Sequence, residues 1–146
     1  MGSTMGKRKS VSLVLIVLSS LIFTGALEAN EVAEKAAISA AEAWVSLVDE
    51  GNYGESWDQT AGLFKAAVVK EQWQTVVKGV RVPLGKVLAR KLKSKQYTKT
   101  LPGAPDGEYV VIQYETVFEK KQSAIETITP MLDKDGLWRV SGYYIQ

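Results

Sequence analysis

The chain has no histidine and no cysteine among its 146 residues. Without histidine, no side chain has an ordinary pKa near neutrality, and Ser-His, Cys-His and His-based zinc hydrolytic sites are excluded. Without cysteine there is no disulfide and no thiol for a lipid anchor, so any stability outside the cytoplasm comes from packing. Long hydrophobic runs are also lacking. The longest, Val11 to Phe23, is short beside the roughly 20 apolar residues of a membrane span.

That run follows the basic cluster Lys7-Arg8-Lys9 and precedes small residues at Thr24-Gly25-Ala26 and Ala29. The pattern is that of a secretory signal peptide occupying residues 1–29, cleaved after Ala29 or, as the second choice, after Ala26. An uncleaved N-terminal anchor is the rival reading, and Ser19, Ser20 and Thr24 dilute the run against it. Beyond Ala29 the basic and acidic residues are equal in number. The whole-chain pI of 8.7 therefore belongs partly to the leader, and it gives no argument for nucleic-acid binding. The remaining residues, 30–146, have the size of one domain.

From Asn30 the chain is Ala-rich, with Ala33, Ala37, Ala40, Trp44, Leu47 and Val48 at three- and four-residue steps. This predicts an amphipathic helix ended by Gly51. Asn52 and Glu55 offer a capping box for a second helix that carries Trp57. A third, through Trp73, Val76, Val77 and Val80, meets Pro83 as its stop. After Leu84-Gly85 the period changes to two. Strands are expected over 86–100, Glu108 to Lys120, Ser123 to Leu132 and Leu137 to Ile145, with Asp133-Lys134-Asp135-Gly136 as a hairpin turn. LPGAPDG, 101–107, lacks phosphate-loop spacing and leads into a strand, so it reads as a stiff turn.

Alternation sorts the sheet into two faces. The face expected under the helices carries Tyr114, Thr127, Trp138 and Tyr144 and contains no acid; with Trp57 and Trp73 these six are the candidate lining of an aromatic pocket for a small apolar ligand. A filled aromatic core is the competing reading. The opposite, mixed face carries Glu115, Glu126, Arg139 and Tyr143, together with Val111, Val117, Ile128 and Leu132, and suits partner interaction or homodimerisation. Pairing Phe118 with Ser123 would set Glu115 against Glu126. Two acids so placed either share a cation or are neutralised by Arg139, and the second reading is favoured. Asp49, Asp58 and Glu71 stand where solvated helical charge is ordinary. Lys91, Lys93, Lys95 and Lys99 alternate on the first strand, as an edge guarded against aggregation or, less readily, a surface for anionic lipid.

Four stretches, AEAWVSLVDEGNYGESWDQTAGLFK, KEQWQTVVKGVRVPLG, LPGAPDGEYVVIQYETVF and WRVSGYYI, together resemble the bacterial exported proteins of domain-of-unknown-function family 4019. Helices followed by an antiparallel sheet that ends in a Trp-containing strand also resemble the nuclear transport factor 2-like, cystatin-like cone superfamily. The resemblance implies an α+β fold, three N-terminal helices on a curved four-stranded antiparallel sheet, and no established activity. Cone-fold enzymes similar to scytalone dehydratase rely on histidine, which this chain lacks. A steroid-isomerase type of reaction would need an acid inside the cone. The expectation is an exported, periplasmic or extracellular module without catalysis or cofactor, with a homodimer or envelope protein as partner. Membrane contact comes only through the export signal. The alternative is a pocket protein that binds or transforms a small apolar molecule.

Overall fold

The computed structural model of the protein describes Gly2 and residues 14–146, with side chains from Gly25 onward. The basic cluster Lys7-Arg8-Lys9 and the start of the apolar run lie outside the described residues. The chain divides into two units, residues 1–31 and 32–146. No helix among the described residues is long and apolar enough to cross a membrane.

The described elements run α1 (Val14–Asp49), α2 (Tyr53–Asp58), α3 (Gly62–Ala67), α4 (Lys70–Leu84), β1 (Val87–Thr98), β2 (Tyr109–Phe118), β3 (Lys121–Leu132) and β4 (Trp138–Ile145). The strands form one antiparallel sheet in the order β1-β2-β3-β4. Helices segregated from a meander make the class α+β, with four helices among the described residues where the sequence suggested three. The additional one, α3, is a six-residue turn of helix, too short to show a 3.6-residue period.

In the second unit α1 buries Ala37, Ala41, Trp44, Val45 and Val48, one stripe at steps of three and four. Ala40 and Leu47, expected in that stripe, stand at its margin, partly exposed. The helix stops at Asp49, and Gly51 takes φ +80°, a conformation open to a residue without Cβ. The capping box expected at α2 does not form, because the Asn52 amide turns back to Glu50. In α4 the buried residues are Trp73, Val77 and Arg81. Val76 and Val80 are exposed, since the buried line follows four-residue steps and ends on an arginine. Pro83 lies inside the last turn of α4 rather than stopping it.

Three indole N–H groups tie the helices together. Trp44 donates to the Ser56 carbonyl at 2.9 Å, Trp73 to Ser56 Oγ at 2.9 Å, and Trp57 to the Val68 carbonyl at 2.7 Å. The α2–α3 connection then docks on the sheet, with Thr60 bridging Val140 and the Ala61 N–H reaching the Val140 carbonyl at 2.8 Å.

The β2–β3 register differs by one residue from the sequence expectation. Phe118 pairs with Lys121, so the turn is Glu119-Lys120, and Glu115 pairs with Ile125 while Tyr114 pairs with Glu126. A one-residue slip moves every side chain to the other face. Ala124, Glu126, Ile128 and Pro130 thus share the helix-covered face with Val110, Ile112 and Tyr114; Ile112 and Ile128 are paired and wholly buried. Each such burial contributes about 1.5–3 kcal/mol. In β4 the ladder skips Ser141 between Val140 and Gly142, beside Pro130. This bulge lets both Val140 and Tyr143 face inward, and it turns Tyr144 outward, 52 % exposed. The Asp133–Gly136 turn forms as expected, with Gly136 at φ +83°.

On β1 the four lysines do not share a face. Lys91 pairs with Glu115, whereas Lys95 pairs with Ile112 and makes an ion pair with Glu34 of α1 at 3.1 Å; an irregularity between Leu92 and Ser94 separates them. Residues 101–107 fold back as a turn, with the Tyr109 hydroxyl donating to the Pro105 carbonyl at 2.6 Å and the Tyr109 side chain almost fully buried.

Candidate functional site

The helix-covered side of the sheet carries a closed ring of five polar side chains. Arg81 of α4 donates to Asp49 of α1 at 2.6 Å. Arg90 of β1 donates to both Asp49 oxygens at 2.7 and 3.0 Å, and its Nε donates to Glu126 of β3 at 2.7 Å. Tyr143 of β4 donates to the other Glu126 oxygen at 2.5 Å, and its hydroxyl accepts a long contact from Arg81 at 3.4 Å. Thr116 of β2 adds a third donor to Glu126 at 2.5 Å. Two cations face two anions, so the ring carries no net charge.

Burial raises the cost of any unpaired member. The Glu126 side chain is 0 % exposed, Arg81 5 %, Arg90 15 % and Asp49 27 %. A carboxylate fully out of water is tolerated only when several donors replace its hydration, and Glu126 has three. Burial pushes the Asp49 carboxyl upward, but hydrogen bonds from Arg90 and Arg81 outweigh it and hold the group below its ordinary value. Burial, reinforced by the Glu126 charge, raises the Tyr143 phenol far above its ordinary value. Tyr143 therefore stays a hydrogen-bond donor through the whole physiological range. Arg81 also lies over the Phe118 ring, 5.1 Å from its centroid, a cation–π contact made in a desolvated setting.

The residues named from the sequence separate into three groups. Glu126 and Tyr143, expected on the open face, belong to the buried ring. Glu115 stays on the opposite face and is exposed, so it and Glu126 cannot share a cation. Arg139 neutralises neither of them: it binds Asp135 at 2.7 Å and Asp133 at 3.2 Å in the β3–β4 turn. Trp73 packs edge-on against Phe64 and within 6.0 Å of Trp44. Trp57 is partly exposed, with Lys65 and Lys70 over its ring. Thr127 pairs with Gln113 and Tyr144 on the outward side. Thr127 is 3 % exposed and its hydroxyl has no partner among the described residues.

Trp138 lines a groove of about 590 Å³ between α1 and β4. Ala36, Ala40, Ala43, Trp44, Leu47 and Trp138 line it, and Glu55, Gln59 and Arg139 bring polar residues to it. Tyr114 lines a second, smaller cavity beside Arg90. The six expected pocket residues therefore do not converge on one cavity.

Asp49, Arg81 and Arg90 are the site residues that sequence reasoning missed. Arg81 was legible: it follows Trp73 and Val77 at four-residue steps, on the apolar side of α4. An arginine there needs an acid partner, and Asp49 at the end of α1 supplies it.

The family described as "Protein of unknown function (DUF4019)" matches residues 40–143, and the chain belongs to that family. All five ring residues lie within the matched span. No curated protein matches the chain.

Proposed function

We propose that the chain is an exported, non-catalytic binding module of the cell envelope, built on the cone-type fold, that holds its ligand or partner in the groove between α1 and β4. The groove itself carries the reading. Its volume falls in the range of small-molecule sites, about 300–1,000 Å³, and its lining combines two tryptophans, three alanines and a few polar residues. A flat apolar ligand fits that chemistry. The interior acid Glu126 offers little free surface to a ligand, because it is wholly buried and already accepts hydrogen bonds from Arg90, Thr116 and Tyr143.

Titration with flat apolar probes such as naphthalene derivatives, read by tryptophan fluorescence, tests this. Saturable quenching that Ala40→Phe removes by filling the groove is the expected result. Quenching that survives Ala40→Phe unchanged rejects the groove.

A second reading, homodimerisation through the uncovered sheet face, is favoured by Tyr144, 52 % exposed, on the same side as Val111, Val117 and Ile125. Ile128, expected there, faces the core and leaves that surface. Sedimentation equilibrium decides: a strict monomer removes the dimer and leaves the groove standing.

A further inference from the structure

β1 forms one edge of the sheet, and among the described residues no strand pairs with its outer side. Between Glu71 and Asp106 the sequence has no acid, so from Lys78 to Lys99 every charge is positive. The chain beyond Ala29 carries equal numbers of each sign, which makes the excess a local one. Charge separated in this way points to an anionic partner.

Part of the excess is already neutralised. Arg81 and Arg90 belong to the buried ring, and Lys95 pairs with Glu34. Lys86, Lys91 and Lys93 are exposed and make no ion pair among the described residues. The β2–β3 turn packs beside the start of β1, where the Glu119 N–H donates to the Lys86 carbonyl and the Lys120 N–H to the Leu84 carbonyl. That turn adds one lysine and one acid, and Glu115 stands opposite Lys91 in the ladder. Lys86, Lys91, Lys93 and Lys120 therefore outnumber Glu115 and Glu119 at this corner.

An edge guarded against aggregation needs only the charge. This edge also exposes Leu88, 65 %, and Leu92, 40 %. The ladder passes from Val87 to Ala89 and from Leu92 to Ser94 without pairing the residue between, so Leu88 and Lys93 are the extra residues of two bulges. Bulges interrupt the row of backbone groups that an added peptide strand would use. A second copy, paired strand to strand about a two-fold axis, would bring lysines against lysines. An anionic bilayer meets both features, because its phosphates accept from the lysines while the leucines enter the headgroup boundary.

We infer that the β1 edge, from Lys86 to Lys93, docks on the surface of an anionic phospholipid bilayer. This contact is separate from the export signal. It shares no residue with the α1–β4 groove, so it stands or falls apart from the function proposed there.

The chain has no cysteine, so a single introduced one takes a polarity-sensitive fluorophore at a known place. Leu88→Cys puts the label on the edge, and Lys134→Cys puts it in the β3–β4 turn, at the opposite end of the sheet. The full-length labelled proteins are mixed with vesicles of phosphatidylcholine alone, or of phosphatidylcholine with about a third phosphatidylglycerol. A blue shift is expected at position 88 with the anionic vesicles only, and none at position 134. The export signal is common to every protein compared. Lys86→Gln, Lys91→Gln and Lys93→Gln together should weaken partitioning by about tenfold or more, since each lysine near an anionic surface contributes about fivefold. These side chains are exposed, so the circular dichroism of the variant should match that of the natural protein. Five results would overturn the inference: equal shifts at both positions, equal shifts with neutral vesicles, a shift unchanged in the lysine variant, no shift at all, or the same shift with soluble polyglutamate. A shift that grows with protein concentration without vesicles would overturn it too, in favour of a second copy.

Discussion

Tyr143 donates its hydroxyl to Glu126 at 2.5 Å although the two are not ladder partners; Tyr143 pairs with Ile128, and Glu126 pairs with Ile145. The contact runs diagonally across β3 and β4, and the bulge beside Pro130 makes it available by turning Tyr143 inward. Glu126 thereby receives donors from β1, β2 and β4, and Arg90 carries the connection onward to Asp49 on α1.

Removing Glu126 should be among the most damaging single changes. Glu126→Ala leaves Arg90 with half its compensation and Tyr143 and Thr116 without an acceptor, and breaking a buried pair this way costs about 3–5 kcal/mol. Replacing the pair together, Arg90→Met with Glu126→Leu, should cost clearly less than the sum of the single changes. Urea unfolding of the four proteins measures this; additive losses would mean that the pair does not act as a unit.

The phenols of Tyr114 and Tyr143 should resist ionisation. Both are raised in the folded protein, so each favours the fold below the ordinary tyrosine value of about 10, and that contribution is lost as pH rises toward the folded value. A spectrophotometric titration at 295 nm should show these two tyrosines silent near pH 11 and titrating only as the chain unfolds. Full tyrosinate absorbance from a still-folded protein would contradict the burial of both.

Acid should act through Asp49. Its folded pKa is depressed, so its contribution is complete above the ordinary aspartate value, about 3.9, and is lost as pH falls through the lower folded value. The stability gap between the natural protein and Asp49→Asn should therefore be widest near neutrality and shrink below about pH 4. A pH-independent gap in urea midpoints would show that charge is not what Asp49 contributes.

The 101–107 turn should matter for folding through one bond. Tyr109→Phe removes the donor to the Pro105 carbonyl and should cost about 1 kcal/mol, the net worth of a typical buried hydrogen bond. Thermal unfolding reads this directly, and an unchanged midpoint would mean that the turn holds by backbone stiffness alone.

The class, the four strands and the Asp133–Gly136 turn could be read from alternation and turn chemistry. The ring could not, and the reason is local. Glu119-Lys120 is a two-residue turn made without Gly, Asn or Asp, so no turn residue marks the end of β2, and a register one residue out of step puts Glu126 on the wrong face. Asp49 stands at a helix end, where solvated charge is ordinary, and Arg90 stands in a lysine-rich strand, so neither carries a local mark of burial. Pro130 was the available clue for β4, because proline within a paired strand marks an edge or a bulge, and the bulge beside it turns Tyr143 inward.

The five ring residues span positions 49 to 143 and come from α1, α4, β1, β3 and β4, so no hairpin or helix pair can assemble the ring by itself. A chain that closed the β2–β3 hairpin one residue out of step would strand Glu126 in water and leave Arg81 and Arg90 facing each other across Asp49 with one charge uncompensated. In this fold the charged ring works as a proofreader of strand register, distinguishing two pairings that the mixed hydrophobic pattern of β3 scarcely separates.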